Sequence, residues 1–237
     1  MLPDDWRSTF AADDQPLRHR VPEWPALAAI PWWAVVSAGL SPLLLTVGWL
    51  AAGDVQPAAY SPIRQTVSYM AGSGGTDRWI MTLAMLLTGG TYLVTAVGMS
   101  GLWAPARALL VISGLCSLGI ATSPEPAAGP TVVHLCWTVL GSVVITIWPV
   151  VAAKHAPPHL TALAGRYTVA ATILFAAMLG WAAIETQGGS SLGLAERALS
   201  TAATSWPFVV ALLLRRRAVY GADAAASGSH LAMTDRR

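Results

Sequence analysis

Glu125 and His134, nine positions apart at the start of an apolar run, are the nearest this chain comes to an acid–base pair. A carboxyl beside apolar surface has a raised pKa, and an imidazole titrates near neutrality, so the two could pass a proton between them. Besides Asp54, six other charged residues fall on the same side of the apolar runs described below: Arg64, Asp77, Arg78, Glu185, Glu196 and Arg197. Gathered at one opening, the arginines would meet an anionic group, with Glu125 and His134 completing a polar wall. Left apart, the same residues would sit in water or form ion pairs that fix loops, and a lone histidine at a helix start serves equally well as a structural hydrogen-bonder. Other chemistries lack their parts. His155 and His159 have the i,i+4 spacing of a metal pair, but Pro157-Pro158 interrupts them and a third ligand is missing, so no metal site is expected. A bis-histidine haem would need a second histidine within an apolar run, no cofactor fingerprint appears, and no cofactor is expected. The glycine-rich stretch from Ser73 to Asp77 follows no strand and lacks the lysine of a phosphate loop. Cys116 and Cys136 both lie in apolar runs, where burial as small hydrophobes outweighs a disulfide between helices.

The elements that must carry these residues follow from composition. The 237 residues are 54% hydrophobic and only 11% charged, too few charges to coat a water-facing surface. Six apolar runs, at about 32–52, 79–101, 105–123, 132–153, 167–186 and 193–214, each approach the roughly 20 residues that cross a bilayer. The expected fold is all-α, a polytopic bundle of six transmembrane helices. Trp206-Pro207 should kink the sixth, since proline removes a backbone donor. Residues 1–31 and 218–237 read as disordered tails flanking a 32–217 membrane domain. Some thirty polar residues precede the first run, which therefore reads as a span rather than a cleavable signal. Alternate loops hold eleven Lys and Arg on one side and three (Arg64, Arg78, Arg197) on the other, which predicts that both termini are cytoplasmic. Trp32, Trp33, Trp103 and Trp148 then fall at the inner boundary and Trp49, Trp79, Trp137 and Trp181 near the outer one. Gly89, Gly90, Gly114, Ser117, Ala176 and Gly180 are small enough to let helices approach closely. The net charge of +2 gives no footprint for nucleic acid.

The longest outer loop, 53–78, should contain a short interfacial helix, capped by Ser61, with Pro62 in its first turn and Gly72 at its end. Ile63, Val67 and Met70 share one face of it, and Arg64, Gln65 and Ser68 lie towards another. Such a helix either caps the bundle or forms the lid of a site beneath it.

Tyr60-Ser-Pro62 with the following Ile-Arg-Gln-Thr-Val-Ser, then Gly75-Thr-Asp-Arg78-Trp79-Ile-Met81, resembles the bacterial membrane family known as domain of unknown function 998. The Pro124-Glu125 to His134 segment and Gly193-Leu-Ala-Glu-Arg197 with the later Trp206 carry the same likeness, from about residue 32 to 217. The chain departs from that pattern in Ser-Pro-Glu-Pro before the fourth run and in Glu196, where glutamine is common. The resemblance implies a six-helix fold with an outward polar cluster and a bacterial inner membrane location; it brings no activity. Three functions remain: binding a lipid or amphiphilic small molecule in an outward-facing polar cavity, serving as an accessory subunit of an envelope complex, or acting on a lipid or isoprenoid-like substrate through Glu125 and His134. Membrane lipids are the partners that the composition itself implies.

Overall fold

The computed structural model describes residues 30–154 and 165–234, with side chains as far as Arg216. The stretch 1–29, the His155/His159 turn and the last three residues lie outside the described residues. Seven helices form, and among the described residues there is no strand. They are α1 (Trp32–Asp54), α2 (Val67–Ala71), α3 (Trp79–Gly98), α4 (Ala104–Thr122), α5 (Val132–Ala153), α6 (Arg166–Glu185) and α7 (Leu192–Thr234). All but α2 contain a stretch long and apolar enough to cross a membrane, and the one in α7 ends at Arg216. The backbone of α7 runs on as helix through residues that the sequence reading assigned to a tail. The architecture is a polytopic helical membrane bundle.

In lipid every backbone polar group must be satisfied within the chain, which is why the apolar runs become helices. Their ends carry local signals. Thr131 caps α5 by accepting from the His134 N–H at 3.2 Å, and Pro105 stands in the first turn of α4, where no N–H is required. Pro42, Pro149 and Pro207 lie inside α1, α5 and α7; neighbouring helices make such positions tolerable in a membrane.

The six long helices form a closed ring. α1 packs on α3, α3 on α4, α4 on α5, α5 on α6, α6 on α7, and α7 returns to α1. A smaller contact joins α5 directly to α7, leaving α6 peripheral, with only Thr168, Ala171 and Phe175 buried. Small residues set the closest approaches. A Cβ on Gly89 would meet the Gly114 carbonyl oxygen at 2.9 Å, and one on Gly48 would meet the Ala84 Cβ at 2.2 Å. Gly90 and Gly180, expected to act likewise, have open space around them, and Ala176 is exposed. Cys116 is buried, but Cys136 is exposed; both are free.

Two buried cores fill the ring. One, by the starts of α1 and α4 and the end of α5, includes Tyr92, Leu110, Trp148, Phe175 and Leu199. Trp148 is buried in this core, and its indole donates to the Ala106 carbonyl at 2.9 Å. The other core, beneath α2, includes Leu45, Val67, Met70, Met81 and Met85.

The long loop differs from the expected interfacial helix. Ser61 and Pro62 begin a turn, in which the Arg64 and Gln65 N–H groups both donate to the Ser61 carbonyl. The helix starts only at Val67, capped by Thr66, whose hydroxyl accepts from the Tyr69 N–H at 3.0 Å. Gly72 ends it, as expected. Val67, Ser68, Met70 and Ala71 are buried, whereas Ile63 is 52% exposed. α2 is thus a plug seated in the end of the ring rather than a helix lying on a surface.

Candidate functional site

Glu196 and Arg197 occupy the second turn of α7 and organise this end of the bundle. Neighbouring helix residues point about 100° apart, so the two side chains serve different surroundings. Arg197 is only 6% exposed. Its Nη1 donates to the carbonyls of Pro62 at 2.7 Å, Gln65 at 2.8 Å and Gly193 at 2.8 Å. Its Nη2 donates to the Tyr60 hydroxyl, and the guanidinium lies over the Trp49 ring at 5.5 Å. All four acceptors are neutral. Burying a cation this way depends on filling its donors and on the aromatic face; around this guanidinium, Nε and the Trp49 indole N–H are left without described partners. Gly193 makes room for the arrangement, since a Cβ there would sit 2.2 Å from the Gln65 oxygen. The Leu194 N–H adds a bond to the Ile63 carbonyl at 3.0 Å. Tyr60 donates onward to the Met70 sulfur at 3.1 Å, and burial raises its pKa despite the opposing pull of Arg197.

Glu196 turns the other way. Its Oε2 accepts from the Val67 N–H at the start of α2, at 2.8 Å, and its side chain lines a cavity inside the ring. The cavity holds about 150 Å³ and lies between the two cores, with Val67 and Ser68 of the plug over it. α3 contributes Thr88 and Tyr92, α4 Ser113 and Ser117, α5 Thr138 and Ser142, and α7 Ser200 and Thr204. Leu45, Met85, Ile120, Ile145 and Leu199 supply the apolar part of the wall. At 1.5 Å per residue, the α7 lining from Glu196 to Thr204 runs from about 6 to about 18 Å inside the helix start. α6 contributes nothing to the lining.

The other sequence candidates surround this pair without joining it. Glu125 is half-buried in the α4–α5 loop, and burial raises its carboxyl pKa against the opposing influence of His134. Its backbone carbonyl accepts from the Ser73 N–H at 2.8 Å, binding the loop to the segment after α2. It also lies within electrostatic reach of Glu196. His134 is buried, and its Nδ1 is 2.7 Å from the Ser123 carbonyl. A carbonyl only accepts, so Nδ1 carries a hydrogen and the ring ties the two ends of the loop together. Neither Glu125 nor His134 lines the cavity. Glu185 caps the turn into α7, accepting from the Ser191 N–H at 2.7 Å and from the Trp181 indole at 3.3 Å. Arg64, Asp77 and Arg78 are exposed, and among the described residues their side chains make no hydrogen bond. Asp77 has a positive φ of 46° in the turn that starts α3. Among the described residues no group of histidine, cysteine or carboxylate side chains could hold a metal ion.

What the sequence reading missed is the hydroxyl lining. Ser68, Thr88, Ser113, Ser117, Thr138, Ser142, Ser200 and Thr204 are scattered over five helices. Each alone reads as a small helix-packing residue, and only the closing of the ring turns them to one space.

A family model described as protein of unknown function, DUF998, matches residues 21–213. Searches of curated proteins and of solved structures give no match.

Proposed function

The chain belongs to the DUF998 family of proteins of unknown function, and from that premise we propose that it binds a small amphiphilic molecule or the polar end of a lipid inside its ring of helices. The observation that carries this reading is the cavity: one carboxylate and eight Ser or Thr hydroxyls around about 150 Å³ inside an apolar bundle. Isolated polar groups at membrane depth are costly and accumulate where they face a partner or a wet space. Space of this volume accepts a group about the size of a benzene ring. The ligand is therefore a small molecule, or one end of a longer one, with both apolar and polar surface.

The reading moves the binding role from the exposed arginines to Glu196. Arg197 becomes the residue that holds the plug, since its N–H groups are taken up by loop carbonyls and Tyr60. Glu125 and His134 act in holding the α4–α5 loop rather than in acid–base chemistry. The proposed orientation keeps both termini in the cytoplasm and the plugged end outside, in a bacterial inner membrane, on the strength of the Lys and Arg distribution.

Ser142→Phe provides the test. Ser142 lines the cavity, and its hydroxyl bonds to no described residue, so the ring would fill the space without breaking a bond. Native mass spectrometry of the protein released from nanodiscs should show a retained small molecule or lipid that Ser142→Phe loses. Identical adducts on both proteins, at the same melting temperature, would overturn the reading.

A further inference from the structure

Most of the cavity hydroxyls have already committed their hydrogens. Ser113 donates to the Leu109 carbonyl at 2.9 Å, Ser117 to Met85 at 2.8 Å and Thr138 to His134 at 3.0 Å. On α7, Ser200 donates to the Arg197 carbonyl at 3.3 Å and Thr204 to Thr201 at 3.2 Å. A hydroxyl has one hydrogen and two lone pairs. Once the hydrogen is given to backbone, only acceptors remain to face the interior.

Glu196 extends the same pattern. In its ionised form, which a cationic ligand would favour, its carboxylate only accepts. Oε2 takes the Val67 N–H, and among the described residues Oε1 receives no hydrogen bond. Arg197 attracts the carboxylate through space, but its Nη hydrogens go to Pro62, Gln65, Gly193 and Tyr60, and it does not line the cavity. Among the described residues no lysine, arginine or histidine does. Glu125, the nearest other carboxylate, adds negative potential rather than relieving it. A second, separate observation points to a missing partner: Thr88 is only 2% exposed, lines the cavity, and its Oγ1 has none.

We infer that the cavity takes a protonated amine: a small organic ammonium ion, free or at the end of an amphiphile, whose N–H groups meet Glu196 and the acceptor face of the hydroxyls. This rests on the cavity being a binding site, and it adds the sign of the ligand. An ammonium brings three donors and one positive charge, which answers both the unbonded Glu196 Oε1 and the five hydroxyls that have only lone pairs left. A carboxylate or phosphate ligand would instead stand against the Glu196 carboxylate, with only the uncommitted hydroxyls of Ser68, Thr88, Tyr92 and Ser142 to donate to it. The apolar wall of Leu45, Met85 and Leu199 accommodates the carbon skeleton.

Three probes of nearly one shape decide it: benzylammonium, benzyl alcohol and benzoate, titrated at pH 7 into the full-length protein in nanodiscs, with the melting temperature and calorimetric binding as readouts. Benzylammonium should bind at least about tenfold more tightly than benzyl alcohol, the scale of one charge-assisted hydrogen bond, and benzoate should not bind. Glu196→Gln keeps an oxygen for the Val67 N–H and removes the charge, so it should fold and lose that preference. Thr88→Val, of matching shape, should weaken benzylammonium severalfold and serves as the second variant if Glu196→Gln is unstable. Equal binding of benzylammonium and benzyl alcohol, unchanged in Glu196→Gln, would overturn the inference while leaving a binding cavity. A bare sodium or potassium ion that competes at equal concentration would overturn it in favour of an inorganic ion. If no probe binds and Ser142→Phe changes nothing, the inference and the cavity reading fall together.

Discussion

Arg197 shows how a single buried cation can determine the shape of a loop. Its bonds reach back more than 130 residues to Pro62 and Gln65, and one guanidinium serves three carbonyls and a phenol from a single position. Arg197→Met should therefore destabilise the bundle by about 2–4 kcal/mol, because buried carbonyls lose charge-assisted partners. A nanodisc thermal melt against wild type measures it; an unchanged melting temperature would contradict the role. Glu125 yields a prediction in pH. Burial raises its pKa above the usual 4.5 in the folded protein, so folding favours the protonated acid. The stabilisation is full at low pH, where the acid is protonated whether folded or not, and is lost as the pH rises through the raised value. Glu125→Gln should flatten the melting temperature across that window and raise it at neutral pH, with no difference below the ordinary carboxyl value. Of the eight charged candidates, the sequence pointed to their common side, which depends only on counting spans. It could not tell Glu196, which faces the interior, from Arg64, which faces water, because that depends on how α7 is rotated in the ring.

Among the elements, the spans were legible to within about three residues at the ends, since apolar length and the residues at helix termini mark them directly. α2 was not. Ser61-Pro62 is a good helix start, but a longer helix would carry the Pro62 and Gln65 carbonyls away from Arg197, so tertiary contacts shorten it to Val67–Ala71. Gly193 holds the other side of that contact. Gly193→Ala should cost about 1–3 kcal/mol, because its methyl would meet the Gln65 and Pro62 oxygens at 2.2 and 2.7 Å. Gly90→Ala is the matching control: a Cβ there meets nothing within 4 Å, and alanine favours helix by up to about 1 kcal/mol. Parallel melts of the two variants should move in opposite directions. A shared loss would mean that helix-to-helix distance, rather than the loop contact, governs the response.

For the molecule as a whole, the proposed orientation, with both termini cytoplasmic, follows from an even number of spans and the Lys and Arg distribution, and it can be tested directly. Single cysteines at Ser73 and Ser190 in a Cys116→Ala, Cys136→Ala background should react with an impermeant maleimide added to intact cells, and one at Ser229 should not. Reversed labelling would invert the proposed orientation and leave the fold untouched. Ring closure by α7 also has a consequence in time. A membrane chain is inserted from its N-terminus as it is made, and the loop after α1 emerges while α7 is still unsynthesised. The carbonyls of Pro62 and Gln65 and the Val67 N–H must wait, satisfied by water, for partners made some 130 residues later. Until the last span arrives the bundle is an open arc, accessible along its whole inner face. A chain cut short before Leu192 would therefore lack the helix that joins α6 back to α1 and completes the cavity wall.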